Sequence, residues 1–112
     1  MITLILPGYS PKNKEWALEA KATMSLSHEV KVLEWEHWGG ERNFSLKSEL
    51  ARIGATVDDV PFNILAKSIG TRVAMHLIPL YKDRIKKLYF VGFQLREITK
   101  NPIPFIHKAF QR

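Results

Sequence analysis

The chain has 112 residues, 46% hydrophobic and 25% charged, which suits one domain over residues 1–112 with a moderate core and leaves no room for a second. No apolar run approaches the roughly 20 residues needed to cross a bilayer. Residues 1–6 also lack a basic leader and a small-residue cleavage site, so a cytoplasmic protein without a membrane partner is expected. The absence of cysteine excludes disulfides, thiolate metal sites and a cysteine nucleophile.

A net charge of +6 is compatible with a nucleic-acid surface, because basic side chains that neutralise phosphates release counterions. The basic residues are spread out, however, and Lys12, Lys14, Lys21, Lys47 and Lys87 alternate with Glu15, Glu19, Glu49 and Asp83. A solvated surface is the expected use of this charge, and nucleic acid is not an expected partner.

Ile2 to Leu6 forms a short apolar run closed by Pro7 and Gly8, which predicts a buried strand and a tight loop. Ser10 and Pro11 are suited to N-cap and first helical position, and Trp16, Ala20 and Met24 then recur on one helical face. Glu29 to Trp35 reads as a second strand, broken afterwards by Gly39 and Gly40. Leu46, Leu50, Ile53 and Val57 mark a second helix capped by Ser45. A third strand is expected over Phe62 to Ala66 and a third helix from Ile69 toward Leu80, with Pro79 kinking or ending it. Leu88 to Val91 gives a fourth strand, and Ile103 to His107 a fifth.

Strands alternating with helices, and reading as apolar runs, imply right-handed crossovers. The expected fold class is α/β, a three-layer α/β/α sandwich with a mostly parallel sheet of four to five strands. In such a sheet ligands bind at the carboxyl ends of the strands, so the loops beginning at Pro7, Glu36, Lys67 and Gly92 should share one rim.

On that rim the run Ala66, Lys67, Ser68, Ile69, Gly70 passes from strand directly into helix. A serine on a sharp strand-to-helix turn has its hydroxyl raised above the sheet, within reach of a base. The backbone N–H of Ile69 and the positive end of the helix are available to an oxyanion, and Tyr9, after Gly8, is a second backbone donor if the first loop bends back. The competing reading of Ser68 is an ordinary helix N-cap. Lys67 faces either solvent or a substrate.

These residues resemble the α/β-hydrolase superfamily, in particular its small microbial members with little lid. The resemblance runs over essentially the whole chain: LPGYSPKNKEW at Leu6 to Trp16, EWEHW at Glu34 to Trp38, ILAKSIGTRVA at Ile64 to Ala74 and KKLYFVGF at Lys86 to Phe93. The first small residue of the elbow is Ala66 where glycine is usual. The resemblance implies Ser68 as nucleophile, Ile69 and Tyr9 as oxyanion donors, and hydrolysis of an ester, thioester or amide through an acyl-enzyme. The substrate implied is a small acyl compound.

The resemblance also implies an acid and then a histidine farther along the chain. The strand containing Ile103 to His107 is expected to lead to that acid, so the 112 residues read as the N-terminal portion of the fold, with negligible turnover of their own. Two substitutes have a place on the correct rim: His37 as base and Glu97 as acid. Asp58, Asp59 and Asp83 precede strands and belong to the opposite rim. His28, His76 and His107 are not positioned as bases, and the four histidines have no metal-site spacing. PGYSPKNK lacks the P-loop ending and no GxGxxG follows the first strand, so no cofactor is expected. The alternative function is a non-catalytic interaction module, a homo-oligomer formed through an unfinished sheet edge.

Overall fold

The computed structural model describes residues 2–26 and 28–92 with side chains, except that residue 92 and the strand at 105–111 are described as backbone only. In chain order the elements are β1 (Ile2–Leu6), α1 (Asn13–Met24), β2 (Glu29–Val32), a 3-10 turn (Glu36–Gly39), α2 (Leu46–Val57), β3 (Phe62–Lys67), α3 (Ile69–Tyr81), β4 (Ile85–Gly92) and β5 (Phe105–Gln111). The strands lie in the order β2-β1-β3-β4-β5. The first four are parallel, and β5 runs antiparallel to β4. The fold is therefore α/β, with a mostly parallel sheet between helical layers.

β1 is buried at every position, as a central parallel strand covered on both faces must be. Leu4, Leu6, Ile64, Ala66 and Leu88 face α2 and α3, whose Ile53, Val57, Val73 and Leu77 complete the larger core. Ile5, Val30, Leu65 and Val91 face the other way and meet Ala17, Trp16 and Ala20 of α1.

The two faces of β3 and β4 differ. Phe62, Ile64, Ala66, Ile85, Leu88 and Phe90 on the α2/α3 side are all apolar. The other side carries Asn63, Leu65, Lys67, Lys87, Tyr89 and Val91, brought level by the register Asn63 to Lys87 and Lys67 to Val91. A one-residue irregularity near Lys86 keeps this alternation in phase. These strands were expected to be apolar on both faces; only one face is.

Four expectations need correction. α1 begins at Asn13, not at Pro11, because Asn13 N–H and Lys14 N–H bond the carbonyls of Ser10 and Pro11 at 2.9 and 3.0 Å in tighter i to i+3 turns. Ser10 Oγ accepts from Lys12 N–H in that turn. β2 ends at Val32, and Trp35 is buried from a loop. Pro79, expected to kink or end the third helix, does not end it: α3 continues to Tyr81. The fifth strand spans Phe105–Gln111, and its direction is reversed: Phe105 pairs with Gly92 and Gln111 with Lys87. Gln111 therefore lies toward the amino-end rim, opposite Ser68.

Candidate functional site

β1 connects outward to β2 on one side and has β3 on the other, so the crevice above Leu6 and Ala66 is the point where the strand order reverses. The loop after β1 and the turn from β3 into α3 meet there. Gly70 explains how closely they meet: a Cβ at this position would collide with the carbonyl oxygen of Leu6. The missing side chain lets the first turn of α3 rest on the end of β1.

Ser68 occupies the corner of this turn at φ 56° and ψ −120°. This is the first-corner conformation of a type II′ turn, where glycine dominates and other residues are strained by about 1–3 kcal/mol. Its side chain is exposed and makes no capping hydrogen bond, while its carbonyl accepts from Thr71 N–H at 2.9 Å. An ordinary N-cap has extended backbone and a side-chain oxygen bonded to the helix N–H groups, as Ser45 has at 3.2 Å from Ser48 N–H. Ser68 has neither property.

The loop after β1 is held by its carbonyls. Trp35 Nε1 donates to Pro7 O and Gly8 O, both at 3.1 Å, and Tyr9 O receives Trp38 Nε1 at 2.8 Å and His37 Nε2 at 2.6 Å. Because a trans peptide directs its N–H opposite its C=O, the Tyr9 N–H points away from Trp35. No hydrogen bond engages this N–H among the described residues. Asn13 packs against Gly8, and a Cβ there would lie 2.7 Å from its amide, so a larger residue would turn the Asn13 side chain aside.

His37 stacks beneath Tyr9, with ring centroids 4.2 Å apart, and Phe44 meets its edge at 5.6 Å. A carbonyl can only accept, so Nε2 is the donor of this hydrogen bond. Nδ1 is buried without a partner. His37 is thus committed to fixing Tyr9 and makes no hydrogen bond to Ser68. Glu97 lies outside the described residues. Lys67 extends over Trp16 of α1, its Nζ 4.9 Å from the ring, and burial pushes its pKa below the usual lysine value.

Comparison of the chain with protein-family models, curated proteins and solved structures finds no match.

The 3-10 turn that carries His37 and Trp38 is itself anchored by α2. Glu49, fully buried, accepts Glu36 N–H at 2.8 Å and pairs with Arg52. The Glu36 carboxylate receives Ser48 Oγ and lies 3.4 Å from Arg42. Sequence reasoning passed over Glu49. The available signal was its position among Leu46, Leu50 and Ile53 on the apolar face of α2, where an acid needs a buried partner. Beside the elbow is a recess of about 190 Å³ lined by Phe44, Leu46, Ile69, Arg72, Val73 and His76. Among the described residues no group of His, Asp or Glu side chains is arranged to hold a metal ion.

Proposed function

We propose that the chain carries a serine acyl-transfer site of α/β-hydrolase type, with Ser68 as the nucleophile toward an ester, thioester or amide. The observation that carries this reading is the strained, exposed and uncapped Ser68 at the strand-order reversal. Strain held at a side chain with no structural task is consistent with a reactive group.

In the step proposed, Ser68 Oγ bonds to the acyl carbon, its proton passes to a base, and the alkoxide, thiolate or amine departs with the electrons of its bond. The N–H groups of Ile69 and Tyr9 stabilise the developing oxyanion. The apolar recess at Phe44, Leu46 and Val73 takes a small acyl group, and Arg72 and His76 stand at its rim. No described histidine is bonded to Ser68, so the hydroxyl stays protonated and the reaction slow.

The test is labelling by a fluorophosphonate, read by intact mass and peptide mapping. One adduct at Ser68, absent in Ser68→Ala and not formed when the chain is denatured before labelling, supports the reading; no adduct at Ser68, or equal labelling of the unfolded chain, overturns it. Turnover of p-nitrophenyl acetate is expected to stay near the uncatalysed rate. The second reading, a non-catalytic interaction module, is favoured by the commitment of His37 to Tyr9.

A further inference from the structure

α3 carries a polar stripe that acyl transfer at Ser68 does not use. Arg72 and His76 follow Ser68 at four-residue intervals, a spacing that keeps residues on one side of a helix. Arg72 is exposed and has no ion pair among the described residues, whereas Arg42, Arg52 and Arg84 each pair with a carboxylate. The first turn of α3 holds no acid that could answer it. On α2, which supplies Leu46 to the adjoining recess, the buried Glu49 is already committed to Arg52 and the Glu36 N–H. A cation within a turn of the positive end of a helix is unfavourable when no anion lies beside it.

The recess next to Arg72, of about 190 Å³, is walled mainly by apolar side chains. Val73 is buried in the core, and Phe44, Leu46 and Ile69 pack against that core while staying partly uncovered. At about 30 Å³ for each water-sized group, the space takes about six non-hydrogen atoms. Four residues of helix place Arg72 about 6 Å along the axis from Ser68.

We propose that this recess takes an acyl group ending in a carboxylate, so that the substrates are half-esters of short dicarboxylic acids, a class that rests on the acyl-transfer reading of Ser68. The acyl carbon lies at Ser68 Oγ, and the methylene carbons cover Phe44, Leu46 and Val73. The terminal carboxylate accepts from Arg72, whose planar guanidinium binds a carboxylate through two parallel N–H···O bonds. His76 lines the recess one turn beyond. A neutral acyl tail covers the same apolar wall but leaves Arg72 unanswered, which is why the anionic one is favoured.

Two fluorophosphonates with tails of equal length, one ending in a carboxylate and the other in its methyl ester, test the proposal by intact mass and peptide mapping. The carboxylate probe should label Ser68 about tenfold faster, and raising the salt should shrink that preference. Arg72→Gln should bring the two rates to within about twofold of each other, and Arg72→Glu should reverse their order. The Ser68→Ala chain gives a second readout: glutaric acid monomethyl ester should move the Arg72 Nε–H NMR signal, and the dimethyl ester should leave it in place. Equal labelling by the two probes, or a signal that responds alike to both esters, overturns the carboxylate specificity while Ser68 remains reactive. No labelling by either probe, with the Arg72 signal still moved by the monomethyl ester alone, overturns the acyl-transfer reading and supports a carboxylate site at Arg72. Absence of both responses overturns both.

Discussion

Ser68 and Asp58 share a backbone conformation that side chains avoid, φ 56° and 48° with ψ −120° and −127°, on opposite rims of the sheet. At Asp58 the surroundings explain it. Its N–H bonds Gly54 O at 3.0 Å, closing α2, and its carbonyl receives the Arg84 guanidinium, which also lies 3.7 Å from Asp59. The corner is a structural turn secured by three strands of contact. At Ser68 the backbone is also held, by Thr71 N–H at its carbonyl and by the close approach of Gly70 to Leu6, and at neither corner does the side chain make a hydrogen bond. Strain alone is therefore no mark of a functional site; what sets Ser68 apart, and what the proposed reading rests on, is an exposed hydroxyl at the strand-order reversal.

The largest test of this contrast is Gly70→Ala. A methyl directed into the Leu6 carbonyl forces α3 off the end of β1, at a cost of about 3 kcal/mol in urea unfolding, and the Ser68 adduct should disappear. If the adduct persists at wild-type rate, the close packing is not what holds the serine. Next is Glu49→Ala, which leaves the Glu36 N–H and Arg52 without their buried acceptor and should cost about 2 kcal/mol. Glu49→Gln keeps an acceptor and should cost about half as much.

Glycine at the two corners sharpens the comparison directly. Ser68→Gly and Asp58→Gly should each stabilise the chain by about 1 kcal/mol, additively, as separated sites do. Only the first should abolish labelling. A destabilised Ser68→Gly would mean that the side chain has a structural task after all.

The smallest effect concerns Lys67. Burial lowers its folded-state pKa below the ordinary 10.5, so the unfolded chain binds more protons as pH rises through that window. Stability relative to Lys67→Met should therefore increase as pH rises toward 10.5 from below, the cost of holding a charge being relieved as the folded lysine deprotonates. The Trp16 ring favours the cation and opposes this trend, so a flat difference would mean that the ring contact balances burial.

What could be read from the sequence follows from which forces are local. β1 and α2 have the expected ends because an apolar run bounded by Pro7, and a capped helical ladder beginning after Ser45, are decided by neighbouring residues. Trp35 misled the reading of β2: an apolar residue can be buried from a loop, here to hydrogen-bond Pro7 and Gly8. The direction of β5 has no signature in its periodicity, since parallel and antiparallel strands share the same alternation. In the site, the sharp turn at Ser68 was legible from the direct junction of strand and helix. The roles of His37 and Glu49 were not, because each depends on a partner 28 or 13 residues away.

The three tryptophans give this molecule built-in reporters. Trp35 is nearly inaccessible and bonded to the first loop, Trp38 is bonded to Tyr9, and Trp16 lies under a lysine ammonium on the α1 face of the sheet. A change in emission confined to a Trp16-only variant therefore senses the sheet face, whereas one confined to Trp38 senses the loop after β1. Single-tryptophan variants consequently separate events at the two surfaces in one optical measurement, without an attached dye.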